Sequence, residues 1–436
     1  MNQLVVEVTT IRGGSVPARS TVTASIGGAG AIALTQSSAR EFTAPLAAKG
    51  DFDITVTAEA APDFWSDSGI CSVGIPANGR AAVTITTRSG GAITNATFGG
   101  SPNNLTLRVR MSISKMRDVS QEVASSFGSP KPAMHWPDEM MLNASSTGTG
   151  VGVLRGTIVP TAVDSSRFIV GKWRSNGIRV GIYLPKAGVT SPGCINIFAK
   201  PPKHGGWDAP GIFGFYMFWG EMGDVTPKHL VAQTEAGGSP YAIAMPAPED
   251  GTALTYGNSQ SGLLELSEEI DVLIRRRILG QQGALANVQK IALSCFSRGA
   301  MAWSSVMVGA KNGGFLDRLR GLWLLDGHLD SGYEQFAAAA LAWQRGSSDR
   351  TIRVYASESK FTQLMDSGAG TTTKGPAGSW QWKSPMTVPG GFAASEYTFM
   401  PSALWAMWNP SAERGIGAHQ LIPNTCMSHA LMTSGA

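Results

Sequence analysis

The chain has 436 residues, 43% of them apolar and only 15% charged, with a net charge of +4. That balance excludes a disordered polyelectrolyte and leaves apolar mass for two or three domains with sizeable cores. The densest basic run, "IRRRILG" at 274–280, has the position of a helix C-terminus, where cations complement the dipole, so nucleic acid is not an expected partner. Cys71, Cys194, Cys295 and Cys426 lie far apart with no C-x-x-C, which removes the usual zinc and dithiol signatures and leaves a disulfide open. "MNQLVVEVTT" lacks a basic stretch followed by an apolar one, and "GIFGFYMFWG" at 211–220 is too short for a bilayer. A soluble chain with no transmembrane segment and no cleaved leader is expected.

Residues 1–88 read as all-β. "LVVEVTT", "STVTASIG", "DFDITVTAEA" and "GRAAVTITTR" alternate or are rich in β-branched residues, and turn residues separate them. The expectation is a small sandwich. The run Gly50-Asp51-Phe52-Asp53-Ile54-Thr55-Val56 resembles the turn-plus-strand pattern of the carboxypeptidase-regulatory or prealbumin-like modules. That resemblance implies a docking or spacing domain with its own partner; a purely stabilising domain is the other reading. Residues 89–165 hold a Gly-rich linker, "SGGAITNATFGGSPNN", and extra strands of open assignment such as "LTLRVRMSIS". "DVSQEVASSFG" suits a short helix with Asp118 as its N-cap.

From about 166 to 436 the rhythm changes. "IRVGIYLP", "CINIFAKPP", "YAIAMPAP", "KIALSCF", "GLWLLDG" and "TIRVYASES" are short apolar runs. Helix-like stretches lie between several of them: "SGLLELSEEIDVLIRRRILG", "RGAMAWSSVMVGA" and "GYEQFAAAALAWQRG". Alternating β and α with near-continuous apolar strands predicts an α/β domain, a mainly parallel sheet covered on both faces. In such sheets ligands sit at the carboxyl ends of the strands.

Cys295-Phe296-Ser297-Arg298-Gly299 falls at such an end, between a predicted strand and a predicted helix. A Ser on a tight turn there exposes its Oγ above the sheet, and the next backbone N–H faces the same space. The segment resembles the G-x-S-x-G nucleophile elbow of the α/β-hydrolases, with Cys295 in place of the first Gly. The resemblance spans about 166–436. "FSRGA" is similar to the elbow of bacterial hydrolases that include type VI secretion lipase effectors. The competing reading makes Ser297 only a cap for the helix near Arg298.

The resemblance implies the chain order nucleophile, acid, histidine. His429, in "NTCMSHALMTSG", is the favoured base and His419 its rival. Asp326, which ends "GLWLLDG", is the favoured acid over Glu358, which ends "TIRVYASES". Oxyanion donors are expected from the Arg298 amide and from Gly205 and Gly206, where His204-Gly205-Gly206 resembles the H-G-G-G loop of lipases. Aromatics gather after that loop (Trp207, Phe213, Phe215, Tyr216, Phe218, Trp219) and in a Gly/Pro-rich region at 366–410 (Trp380, Trp382, Trp405, Trp408) that has the length of a lid. Core packing accounts for many of them as well. The expectation is a serine hydrolase of carboxylic esters or lipids that needs no metal or organic cofactor. A peptidase using the same triad, and a non-catalytic carbohydrate- or protein-binding scaffold, are the alternatives. The missing leader and the "FSRGA" resemblance together imply a bacterial protein, cytoplasmic at synthesis and exported as a leaderless effector.

Overall fold

The computed structural model describes residues 2–47, 49–60, 63–75, 84–87, 91–101, 104–122, 163–173, 177–201, 209–218, 228–247, 259–325, 327, 333–357, 371–374, 380–383, 396–400, 427 and 430–431. The chain forms two compact units. The first is Met1–Asp118 with Gly171–Gly177 and Glu268–Asn287; the second is Val119–Val170, Ile178–Ser267 and Val288–Ala436.

The first unit is a β-sandwich. Its strands are β1 (Gln3–Thr10), β2 (Thr21–Ile26), β3 (Ile32–Ala33), β4 (Thr35–Gln36), β5 (Glu41–Pro45), β6 (Gly50–Glu59), β7 (Asp67–Ile75), β8 (Ile85–Thr87), β9 (Ile93–Ser101) and β10 (Asn104–Ile113). They form two five-stranded sheets, β4-β5-β1-β10-β9 and β3-β2-β6-β7-β8. Alternate residues of each strand point inward, as in Ile54, Val56 and Ala58 of β6 and Leu105, Leu107 and Val109 of β10, and these fill one apolar core.

The sandwich does not end at residue 88. β9, which falls in the stretch read as linker, and β10, read as a strand of open assignment, both lie in the first sheet, where β10 runs parallel to β1 from Gln3↔Thr106 to Thr10↔Ile113. Asp118 ends β11 (Met116–Asp118), which pairs antiparallel with Gly171–Trp173, and a 3-10 turn at Ser120–Glu122 follows; the rest of the stretch read as a helix lies outside the described residues.

The first unit also takes in the second half of α4 (Gln260–Arg277). Buried Glu269 accepts from Ser114 Oγ, from the Lys115 amide at 3.0 Å and from the Met116 amide at 3.3 Å. Arg276 donates to the Ser112 carbonyl at 3.2 Å and meets Asp67 at 3.4 Å, and Arg275 pairs with Asp271 at 2.8 Å. The basic run at 274–280 is therefore largely an internal clamp, with Arg275 and Arg276 buried.

The second unit is built on a mainly parallel sheet. Its strands are β12 (Phe168–Trp173), β13 (Arg179–Tyr183), β14 (Cys194–Ala199), β15 (Ala242–Ala247), β16 (Lys290–Phe296), β17 (Leu319–Leu325), β18 (Thr351–Ser357), β19 (Thr371–Lys374), β20 (Trp380–Lys383) and β21 (Glu396–Met400). The order is β12-β13-β15-β14-β16-β17-β18-β21-β20-β19. From β15 to β21 neighbours are parallel, while β13 against β15 and the β21-β20-β19 end are antiparallel.

The other helices are α1 (Lys186–Thr190), α2 (Ala209–Met217), α3 (Leu230–Ala236), α5 (Ala300–Val308), α6 (Gly313–Leu316) and α7 (Tyr333–Gln344). Every residue of β14 and β15 is buried, which requires cover on both faces and explains their near-continuous apolar sequence. On one face Phe198, Ile243, Ala292, Phe296 and Trp323 pack with α2, α3, Met427, Ala430 and Leu431. The stretch 366–410, read as a lid, holds three sheet strands, β19, β20 and β21. No helix among the described residues is long and apolar enough to cross a membrane.

Candidate active site

The strand order reverses between β14 and β16. From β14 the chain moves to β15 on one side, then returns to β16 on the other. The carboxyl ends of two such strands open a crevice between their diverging connections. Ser297 directly follows β16, and Lys200 directly follows β14.

Ser297 has φ +52°, one of two non-glycine residues in the left-handed region among those described. This conformation costs a non-glycine residue about 1–3 kcal/mol, so its surroundings must impose it. Phe296 is still extended, at φ −123° and ψ 138°; Ser297–Gly299 makes one 3-10 turn, and α5 begins at Ala300. The Trp303 indole on α5 donates to the Ser294 carbonyl at 2.8 Å, tying the helix back onto its own strand. The Ser297 side chain is half-buried, and Arg298 is exposed.

Gly299 is required for space. A Cβ there would stand 2.2 Å from the Ala199 carbonyl oxygen and 2.9 Å from its carbon, so the turn rests on the end of β14. Cys295, in the place of the pattern's first glycine, is fully buried, and a Cβ on Gly327, just past β17, would touch its Sγ at 3.7 Å. Burial pushes the Cys295 thiol far above its ordinary range, so it stays protonated and inert. Cys71, Cys194 and Cys295 are all free.

Of the residues expected to form the triad and the oxyanion hole, the structure describes Ser297 and Arg298. Asp326, Glu358, His419, His429, Gly205 and Gly206 lie outside the described residues. Their flanks are placed. Phe296 pairs with Leu325, so residue 326 follows the strand next to the elbow, one spacing of about 4.8 Å away, whereas residue 358 follows a strand two spacings away. Met427, Ala430 and Leu431 are helical and buried in the same cluster as Phe296. Phe213, Phe215, Tyr216 and Phe218, read as site aromatics, lie in that core, where Phe215 and Tyr216 meet edge to face at 5.0 Å. Among the described residues, no group of three or more His, Cys, Asp or Glu gathers as a metal site.

Sequence reasoning missed Lys228. It is fully buried, with its ammonium 5.4 Å from the ring centroids of both Phe215 and Phe296, directly beneath the residue that precedes Ser297 in the chain. Burial pushes this ammonium down to about 7. The unfolded chain, with its ordinary lysine near 10.5, therefore holds the proton more tightly between those values. Stability attributable to this group rises from about pH 7 to about pH 10, and its penalty is complete below 7. Lys228→Met should stabilise the protein by on the order of a few kcal/mol at pH 6 and by little near pH 10. Denaturant melts at the two pH values check this, and an equal gain at both would contradict it.

A covered, mainly parallel sheet with an order reversal, and a Ser on a strained turn at that reversal, define the second unit as an α/β-hydrolase fold, preceded by an all-β sandwich. No protein-family model and no curated protein sequence matches the chain. Among solved structures it is similar to an S-formylglutathione hydrolase from Agrobacterium tumefaciens, with 8% identity, a TM-score of 0.31, and 62% of this chain and 96% of that one covered. It is also similar to a thermostable esterase, with 10% identity, a TM-score of 0.30, and 98% and 97% covered. An acylaminoacyl peptidase from Pyrococcus horikoshii gives 9% identity, a TM-score of 0.25, and 87% and 53% covered.

Proposed function

We propose that the protein is a serine hydrolase of carboxylic esters, with Ser297 as nucleophile, His429 as base and Asp326 as the acid that orients it. The observation that carries this reading is Ser297 itself, held at φ +52° on a turn that Gly299 presses against the Ala199 carbonyl. A serine that merely capped α5 would adopt the extended conformation usual for a cap and would need no such strain.

In the proposed reaction Ser297 Oγ attacks the acyl carbon as its proton passes to His429. The oxyanion is held by the Arg298 amide and by amides of Gly205 and Gly206. The alcohol leaves with the proton from His429, and water, activated by the same histidine, releases the acid from the acyl-serine. His429 is favoured over His419 because Met427, two residues before it, lies in the same core cluster as Phe296 and is linked through Asn196 to Ser294 of the nucleophile strand.

Treatment with a fluorophosphonate, followed by peptide mass spectrometry, should find the label on Ser297, and nitrophenyl esters should be hydrolysed. A chain that leaves both reagents untouched is a binding scaffold and not an enzyme. Comparison of phospholipids, short esters and amides then separates lipase, esterase and peptidase. Asp326→Asn should lower kcat by about 10⁴-fold, the loss typical of a triad carboxylate, and Glu358→Gln by far less. The reverse order would move the acid to Glu358.

A further inference from the structure

A chain of buried polar contacts in the second unit links Met427 to the nucleophile strand. Gln233 on α3 donates from Nε2 to the Lys228 carbonyl at 2.8 Å and accepts at Oε1 from the Met427 amide at 3.1 Å. The Met427 Sδ accepts from Asn196 Nδ2 at 3.7 Å, and Asn196 Oδ1 accepts from Ser294 Oγ at 2.8 Å. Gln233, Asn196, Ser294 and Met427 are all fully buried. Asn196 is the one polar residue of β14, and Ser294 stands among the buried apolar residues of β16.

Apolar packing alone would leave the position of Met427, Ala430 and Leu431 loosely specified, because similar contacts survive small slides and rotations. Directional bonds do not survive them, and a buried polar group left without its bond costs about 1–3 kcal/mol. The contacts through Gln233 and Asn196 therefore select one placement of Met427 relative to Ser294, three residues before Ser297.

We propose that Gln233 is a positioning residue for the catalytic base, fixing through the Met427 amide the segment in which His429 follows two residues later. The inference rests on the reading of His429 as the base. Gln233 touches no substrate in this scheme. It acts by setting where the base stands relative to Ser297.

Gln233→Met keeps the side-chain length and removes both hydrogen bonds. The measurement is the time course of fluorophosphonate labelling, read as two quantities, the rate constant and the final stoichiometry. A misplaced base slows the reaction of every molecule, and a displacement on the order of 1 Å is worth about 10²-fold. The expected result is a rate constant lowered by about 10- to 100-fold, full final labelling, and a kcat for nitrophenyl esters lowered by the same factor with KM unchanged. A merely structural role would instead leave the rate constant alone and reduce the labelled fraction, and that result overturns the proposal. So does a variant that reacts at the wild-type rate. Ser294→Ala, which removes only the bond to Asn196, serves if Gln233→Met does not fold, with a smaller slowing expected and no slowing counting against the proposal. Failure of the wild type to label at Ser297 would be a different result, removing the hydrolase reading and this inference with it.

Discussion

Ser297→Ala should lower ester turnover by on the order of 10⁶-fold, the scale of loss when a triad nucleophile is removed, while the fold persists. The fold is expected to persist because the Ser297 side chain is only half-buried and the turn is held by Gly299, Ala300 and Trp303. Alanine still carries a Cβ, so the left-handed strain at φ +52° remains and the melting temperature should scarcely move. Ser297→Gly is the informative partner. It is equally inactive, but it relieves strain of about 1–3 kcal/mol. The greater entropy of the unfolded glycine offsets about 0.5–1 kcal/mol of that. The glycine variant should therefore be more stable than the alanine variant by roughly 1 kcal/mol. Activity assays and denaturant melts of both variants check this. Residual turnover in Ser297→Ala would remove the nucleophile assignment, and a less stable Ser297→Gly would mean the turn is not strained.

Gly299→Ala should damage both activity and stability. The added methyl would lie 2.2 Å from the Ala199 oxygen, and the obstacle is backbone with no flexible end to swing away. Either the turn or the end of β14 must shift by about 1 Å to restore normal contact. Overpacking of this kind costs about 1–3 kcal/mol, and a shift of that size at a nucleophile costs about 10²-fold in rate. The expected variant is folded, melts several degrees lower, and has kcat reduced by at least about 10²-fold. Wild-type kcat would show that the approach to Ala199 is not what fixes the elbow.

The parts of the fold that were legible in the sequence share one physical property. β14, β15, β16 and β17 are covered on both faces, so each appears as a bounded apolar run. The elbow showed itself because Ser-Arg-Gly breaks such a run at its end. Long-range pairing was not legible: nothing in "LTLRVRMSIS" says that it will lie beside a strand some hundred residues earlier. Short strands hidden among Gly, Pro and Thr made 366–410 look like a lid. The aromatics of α2 were drawn toward the site by proximity in sequence, although Phe213, Phe215 and Tyr216 point into the core. Asn196 did leave a signal, a lone amide in an apolar run. That signal becomes readable only once the residue is known to be buried.

The discontinuity of the first unit bears on how the protein is made. Ser112 and Ser114 complete the sandwich sequence, yet their partners Arg276 and Glu269 come about 150 residues later, with Ser114 and Glu269 separated by 155. At a synthesis rate of about 5–20 residues per second, the ribosome needs roughly 10–30 s to deliver them. Throughout that interval the nascent β-strands lack their closing helix, and the end of β10 waits with its polar groups unsettled. The sandwich strands are made before most of the second unit, but the first unit is complete only once Glu268–Asn287 has been made. Its maturation is timed by the emergence of α4, after β12 to β15 have already left the exit tunnel.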